Sequence, residues 1–402
     1  MDNDHDDAWN DDGYGDDGWD DGDAPGDDGA GRAGIAGWWA HLSGGGRAGV
    51  IVTAVVAVLL VAALVFALGR GDDDEPPATT APRTTTTVGI TTTTEAPTGP
   101  VAPLTGLRMA DAAAAGRPAL AVKIDNLDTP GETAVPQAGL PLADVVVEEI
   151  VEGNITRLVA IFHSQDPGGR VGPVRSARTT DIHILPQLGR TLLGWSGGNA
   201  GVTAAVQEAP SIIDVGPSRA GAAYTRDRTR RAPHNLYVDA ASLWGLAPEE
   251  VTPPRPIFEF RDEGSPEAAG VQASSGVDLT WGGGAASSPV SWTWDPALAL
   301  YTREQRDHPH ADESGTQLGA QNVVVLVTPY GQSPADARSP EALTVGSGEA
   351  YVFTAGTVVR GRWDRPSVEE PARLTDEAGA PILLTPGQTW IELPREGGVA
   401  VR

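Results

Sequence analysis

Residues 118–126 read PALAVKIDN, a run of apolar side chains interrupted by one lysine and closed by Asp125 and Asn126. An apolar run of this length, bounded by a proline and by two polar turn-forming residues, predicts a buried β-strand. Further apolar segments lie at 143–150, 155–162 and 191–195, and helical patterns lie at 176–188, 199–208 and 240–246. Strands that alternate with helices predict an α/β domain over residues 103–254.

After Pro253 and Pro254 the pattern changes to short strands separated by turns. We predict strands at 256–260, 277–281, 290–294, 322–328, 350–354, 357–363, 381–385 and 389–393. The polar stretch between 295 and 320 is predicted to be a long functional loop. The predicted fold class is therefore α+β or α/β, with an N-terminal α/β domain followed by a β-rich C-terminal domain over residues 255–402.

Three segments are predicted ahead of the globular part. Residues 1–46 hold 13 acidic residues and one arginine, which predicts a disordered acidic tail. Residues 48–68 carry no charge and as a helix would be about 30 Å long, the hydrocarbon thickness of a bilayer. Residues 71–102 are rich in proline and threonine, which predicts an extended linker.

The orientation of the predicted transmembrane helix follows from the charges that flank it. Arg32 and Arg47 precede the helix, whereas residues 72–75 are acidic, so the N-terminus is expected in the cytoplasm and the C-terminal domains outside it. The long acidic segment before the helix argues for a signal anchor over a cleavable signal peptide. We therefore expect a single-pass protein of the cell membrane.

Composition excludes several classes of function. The chain has 54 acidic and 28 basic residues, a net charge of −26, and this balance argues against nucleic acid as a partner. It has no cysteine, which rules out disulfides, cysteine-bound zinc, thiol catalysis and a lipidated N-terminal cysteine. No cofactor is indicated by any motif, and the composition leaves the oligomeric state open.

A series of short motifs resembles the YerB-like lipoprotein family. The motifs are PLTG at 103–106, KIDN at 123–126, PQAGL at 136–140, EGNITR at 152–157, GPVRSAR at 172–178, RAPHNLY at 231–237, HAD at 310–312 and GQTWI at 387–391. The family consists of a domain of unknown function with N- and C-terminal parts, so the resemblance implies a cell-envelope protein and no particular chemistry. It also implies a lipid anchor on cysteine, which this chain replaces with its predicted transmembrane helix.

The GPVRSAR segment suggests an anion site. Arg175 and Arg178 flank Ser176 near a predicted helix start, where backbone N–H groups and guanidinium groups suit a phosphate or a carboxylate. The alternative is a structural network in which Ser176 caps the helix and the arginines pair with glutamates. The complete set of predicted ligand-binding residues is Arg175, Arg178, Arg226, His234, Asn235, Asp125, Asn126 and Arg157.

Two other kinds of site deserve consideration. His234 lies in a loop after a proline and could act as a general acid or base with Ser176, Glu148 or Glu152. His308, His310 and Asp312 alternate along one segment and are candidates for metal ligands, a satisfied polar loop being the alternative.

Three hypotheses about function remain open at the level of sequence. The first is a non-catalytic extracytoplasmic module that binds an anionic glycan or another cell-wall ligand. The second is an envelope hydrolase or transferase that uses His234 with a carboxylate. The third is a signalling protein in which the acidic cytoplasmic tail is the effector.

Overall fold

The computed structural model describes residues 98–262, 265, 271–284 and 287–402. The predicted tail, the predicted transmembrane helix and residues 71–97 of the predicted linker lie outside the described residues. Within these ranges, no helix combines the length and the apolar character needed to cross a membrane. The described residues all belong to one compact unit that runs from Glu95 to Arg402.

The strands dominate the secondary structure. In chain order they are β1 (Leu120–Asp125), β2 (Asp128–Thr129), β3 (Glu132–Thr133), β4 (Val145–Ile150), β5 (Thr156–Phe162), β6 (Arg170–Val171), β7 (Thr191–Gly194), β8 (Ile212–Asp214), β9 (Tyr224–Arg226), β10 (Leu236–Asp239), β11 (Gln272–Ala273), β12 (Gly276–Leu279), β13 (Val290–Asp295), β14 (Leu300–Gln305), β15 (His308–Pro309), β16 (Gly319–Ala320), β17 (Asn322–Leu326), β18 (Tyr330–Ser333), β19 (Asp336–Ala342), β20 (Gly346–Thr354), β21 (Thr357–Arg365), β22 (Arg373–Asp376), β23 (Thr389–Glu392) and β24 (Val399–Val401).

In the part of the chain that the structure describes, the helices are few and short. They are α1 (Thr179–Ile184), α2 (Ala200–Glu208), α3 (Pro217–Ala220) and α4 (Ala240–Trp244), with 3-10 turns at Ala113–Gly116, Leu140–Leu142, Glu152–Asn154, Pro186–Leu188 and Gly221–Ala223. The helix predicted at 176–188 is shorter than expected because Pro186 cannot continue the α-helical hydrogen bonding. Since α1 begins at Thr179, Ser176 does not cap it.

One mixed sheet runs through both predicted domains. Its strand order is β11-β21-β20-β17-β23-β4-β5-β1-β7-β8, and β22 pairs with β21 to make eleven strands. The junction is β23, which pairs in parallel with β17 on one side and with β4 on the other. The α/β part and the β-rich part predicted from sequence are thus two parts of a mostly β structure that share this sheet.

Alternating side chains of the large sheet form two cores, as the period of two along a strand requires. On one face, Val122 and Trp390 pack towards Trp292 of a second sheet, whose order is β15-β14-β13-β12-β24 with β16 on β14. The rings of Trp292 and Trp390 meet edge to face with centroids 5.1 Å apart. On the other face, Val147 and Ile391 pack with residues of α1 and α2. The large sheet is therefore covered on both sides.

Two predictions about the second half of the chain are wrong. The supposed loop at 295–320 contains β14, β15 and β16. In β14 the side chains of Tyr301, Arg303 and Gln305 are buried in alternation. The sequence did not indicate this strand because a buried arginine breaks the apolar pattern. The strands predicted at 256–260 and 381–385 are reduced to two isolated bridges, Phe260 with Leu384 and Pro381 with Thr375. Prolines at 254, 256, 381 and 386 lack the N–H groups that a longer ladder needs.

The segment 172–175 positions the polar residues at the end of β1. It bonds to β1 through Asp125 N to Pro173 O (2.9 Å) and Arg175 N to Lys123 O (2.9 Å). On its other side, Val174 N donates to Leu236 O at the start of β10. This segment therefore holds the end of β1 beside the loop that carries His234.

Candidate functional site

Asp125 closes β1, and the candidate site is built around its carboxylate. Oδ2 of Asp125 lies 2.7 Å from Nδ1 of His234 and 3.2 Å from Nε of Arg175. Burial alone would raise the pKa of Asp125, but the hydrogen bond from His234 and the charges of Arg175 and Arg157 lower it to about 2. Asp125 is therefore a buried carboxylate that is ionised near neutral pH and orients the histidine.

His234 is held between two carboxylates. Its Nε2 lies 3.0 Å from Oε1 of Glu132, opposite the contact with Asp125. Burial alone would lower the pKa of His234, but the hydrogen bonds to Asp125 and Glu132 raise it above 6.5. A protonated imidazole donates through both nitrogens, whereas either neutral tautomer would leave one carboxylate facing a lone pair.

His234 lines an open cleft with a volume of about 470 Å³. The cleft lies between the β2–β3 hairpin, the loop after β9 and the loop that contains Glu313. Its charged lining consists of three arginines, three carboxylates and the histidine: Arg170, Arg230, Arg231, Glu132, Asp227, Glu313 and His234. Clefts of this volume accommodate small ligands.

Arg170 is neutralised by protein groups within the cleft. Its Nε and Nη2 donate to the two carboxylate oxygens of Glu313 at 2.9 and 2.7 Å, and its Nη1 donates to Asp227 at 2.7 Å. The guanidinium also lies over the ring of Tyr237. This ion triplet joins two loops that are distant in sequence and so fixes one wall of the cleft.

Arg230 is likewise committed to the protein. It donates to the carbonyl oxygens of Ala134 and Pro136 at 2.7 Å each, and to the hydroxyl of Tyr237 at 2.7 Å. Arg231 differs, because it is exposed and makes no side-chain hydrogen bond or ion pair with the part of the chain that the structure describes.

The predicted anion-site arginines Arg157, Arg175 and Arg178 do not line the cleft. Arg178 donates from Nε to Glu152 at 2.8 Å, and Arg157 donates to the carbonyl oxygen of Ser176 at 3.0 Å. Burial and the charges of Arg178 and Arg175 lower the pKa of Arg157 to about 9, whereas the pKa of Glu152 falls to about 2 because Arg178 outweighs burial. Arg175 pairs with Asp125, so two of these arginines are held by carboxylates.

Asn126, next to Asp125, points the opposite way into a fully buried network. Its Nδ2 donates to Glu148 Oε1 at 3.0 Å, and Arg303 Nη2 donates to Glu148 Oε2 at 2.7 Å. Glu148 and Arg303 are both 0% exposed. Glu148, a predicted catalytic carboxylate, thus lies away from solvent and from His234, which contacts Asp125 and Glu132 instead.

His310 completes this network, which we call the sealed network (Asn126, Gln137, Glu148, Thr156, Arg303, His310 and Glu392). Its Nε2 donates to Gln137 Oε1 at 2.7 Å, and its Nδ1 accepts a hydrogen bond from Arg303. Burial and the charge of Arg303 lower the pKa of His310, in keeping with a neutral ring. Burial and the charge of Glu148 raise the pKa of Glu392.

The remaining predicted residues occupy separate positions. Arg226 Nη1 donates to Asn235 Oδ1 at 2.9 Å, a contact that braces the loop before His234. His308 lies 3.5 Å from Asp128, and Asp312 accepts hydrogen bonds from Ser314 and Thr316 of its own turn. Among residues 98–262, 265, 271–284 and 287–402, no group of three or more His, Asp or Glu side chains is arranged so that it could hold a metal ion.

Sequence reasoning brought Asp125, Arg175 and His234 together but missed Glu132, Arg170 and Glu313. Glu132 lies in a two-residue strand of a short hairpin, and Glu313 follows the HAD motif in a turn. Neither position has a periodic or motif signal. The only available indication was the density of arginines at 226–231, which includes both Arg230 and Arg231.

Comparison with known proteins gives consistent matches over this region. Residues 104–252 match the model described as protein of unknown function (DUF3048) N-terminal domain, and residues 277–391 match the corresponding C-terminal domain. The Bacillus subtilis (strain 168) protein named "Putative lipoprotein YerB" is 29% identical over 302 residues, which cover 73% of this chain and 85% of that protein. The crystal structure of YerB protein from Bacillus subtilis matches with a TM-score of 0.64 and 25% identity, covering 75% of this chain and 99% of that one.

Proposed function

Since the chain belongs to the DUF3048 family, in which its relative YerB is named as a lipoprotein, we propose that it is an extracytoplasmic binding module of the cell envelope. Its ligand is an anionic or cell-wall compound that occupies the cleft beside His234. The predicted transmembrane helix at 48–68 supplies the membrane attachment that a lipid supplies in lipoproteins.

One observation carries this proposal: a protonatable histidine, fixed by a buried carboxylate, lines an open cleft of about 470 Å³ that also contains three arginines. Arg231 is available to a ligand because no described group neutralises it. Two other arginines already hold the loops in place. The result is a cleft in which Arg170, Arg230 and His234 are positioned before a ligand arrives, which reduces the ordering cost of binding.

The test is co-sedimentation of the purified full-length protein with isolated cell-wall sacculi at low and high salt. We expect binding that weakens with added salt, because exposed charges are screened, and that falls about tenfold in Arg231→Ala. Arg228→Ala is the matched control, since Arg228 is also exposed but does not line the cleft. Equal loss in both variants, or no binding by the wild type, contradicts the proposal.

Arg231 is a better choice for this test than Arg175 or Arg178. These two arginines pair with Asp125 and Glu152, and removal of either would leave a partly or fully buried carboxylate without its partner. Loss of binding in such a variant would not separate ligand recognition from unfolding. Arg231 has no such structural contact within the described residues.

The Asp125–His234 pair also favours a second candidate, an envelope hydrolase or transferase. A carboxylate that orients a histidine towards a cleft is the arrangement used in general acid–base catalysis. This function predicts turnover of cell-wall fragments that is lost in His234→Gln and reduced in Asp125→Asn, with folding retained. Binding without turnover at any pH would exclude the candidate and leave the binding module.

A further inference from the structure

The three arginines that line the cleft are matched by three carboxylates, and the charge of a protonated His234 is matched by Asp125 behind it. The formal charge of the cleft therefore gives no preference for a ligand of one sign. A polyanion would approach Arg231 but would also meet the carboxylate of Glu132. The charged groups that have no protein partner decide which ligand the cleft accepts.

Arg231 is the cation that remains available. Arg170 is held by Glu313 and Asp227, and Arg230 is held by backbone carbonyls and a tyrosine hydroxyl. The guanidinium of Arg231 makes no contact of this kind with the described residues. It can pair with a carboxylate through two parallel hydrogen bonds.

Glu132 is the anion that remains available. Its side chain is 47% exposed, and only Oε1 is bonded, to His234. Its Oε2 has no hydrogen-bond partner among the described residues. A carboxylate has about four lone-pair positions for hydrogen bonds, so it can accept an ammonium group while it keeps the contact with His234.

We propose that the cleft recognises a dipolar ligand, a short peptide whose carboxylate pairs with Arg231 and whose ammonium group pairs with Glu132. This inference rests on the proposed function and names the ligand class of the same site. Among cell-envelope compounds it selects the peptide component and not the polyanionic polymers. The volume of about 470 Å³ is in the range of small-ligand sites.

The experiment uses trialanine as the probe, together with its N-acetylated and its C-terminally amidated forms. Dissociation constants for the purified full-length protein are measured by ligand-observed NMR titration. We expect trialanine to bind and each blocked form to bind about tenfold more weakly, because one charged pairing with the protein is lost in each.

The variants assign each end of the peptide to its residue. Glu132→Gln is expected to bind trialanine and the N-acetylated form equally, and Arg231→Ala is expected to bind trialanine and the amidated form equally. Arg228→Ala is expected to behave as the wild type. Thermal unfolding of each variant confirms that the exposed substitutions leave the fold intact.

The outcomes separate this inference from the function on which it rests. Equal affinity of the wild type for all three tripeptides, or no affinity for any of them, overturns the dipolar ligand. If sacculi still bind under those conditions, the proposed function stands. If neither sacculi nor tripeptides bind, the proposed function fails as well.

Discussion

Two regions of this protein contain the same kinds of side chain and use them differently. The sealed network combines a histidine, an arginine and a carboxylate at 0% exposure, and His310 is neutral there. The cleft combines a histidine, arginines and carboxylates beside solvent, and the pKa of His234 is raised. The two regions adjoin at neighbouring residues. The side chain of Asn126 belongs to the sealed network, and the side chain of Asp125 contacts His234 of the cleft.

The difference shows that availability, and not residue type, distinguishes a structural cluster from a candidate binding site. In the sealed network, Glu148 accepts from Asn126, Thr156 and Arg303. It therefore has no exposed atom for a ligand. In the cleft, Arg231 and one oxygen of Glu132 have no described partner and are open to solvent. The four predictions below test this contrast, from the largest expected effect to the smallest.

Arg303→Met should cause the largest loss. Removal of this arginine leaves Glu148 as a buried charge without its cation, which costs about 3–5 kcal/mol of unfolding free energy. Urea denaturation measures the loss. Arg338→Ala, at an arginine whose side chain is 78% exposed, should change stability by less than about 0.5 kcal/mol. Similar values for the two variants would show that the sealed network is not the more sensitive region.

Asp125→Asn should have the next largest effect. It replaces a charged hydrogen bond to His234 with a neutral one, and we expect a loss of about 2 kcal/mol in unfolding free energy. The pKa of His234 should fall, because Asp125 is the main group that raises it. NMR titration of the imidazole measures this shift. An unchanged His234 pKa would contradict the assigned role of Asp125.

The pH dependence of stability should reveal His234. Its pKa is higher in the folded protein than the ordinary value of 6.5. The protonated histidine therefore contributes to the unfolding free energy in full below about pH 6.5, and this contribution is lost as pH rises through the folded pKa. The difference in unfolding free energy between wild type and His234→Gln should therefore decrease from pH 5 to pH 9. A difference that stays constant or grows over this range would refute the protonated state.

Glu132→Gln should have the smallest effect on stability. The side chain is 47% exposed, and exposed ion pairs contribute about 0–1 kcal/mol. Chemical denaturation should therefore barely distinguish this variant from the wild type, even though its ligand selectivity changes. A loss above about 2 kcal/mol would mean that Glu132 is a structural group like those of the sealed network.

The sequence predicted the central strands well and the buried polar strand poorly. Strands β1, β4 and β5 were predicted from apolar runs such as 118–124. Asp125 and His234 were predicted as site residues because one closes a strand and the other lies in a loop after a proline. Strand β14 was missed because its inward positions include Arg303 and Gln305, which local patterns assign to solvent. The pairing of Arg303 with Glu148 spans 155 positions, a distance over which a single sequence gives no signal.

The position of β23 has a consequence for the order in which the chain can fold. Residues 389–392 lie in the middle of the large sheet, between β4 and β17, yet both of these partners precede them in the chain. Until they emerge from the ribosome, the facing edges of β4 and β17 have no partner and can pair wrongly with other chains. A truncation after Gln388, which removes β23 and β24, should therefore expose the edges of β4 and β17 and promote aggregation.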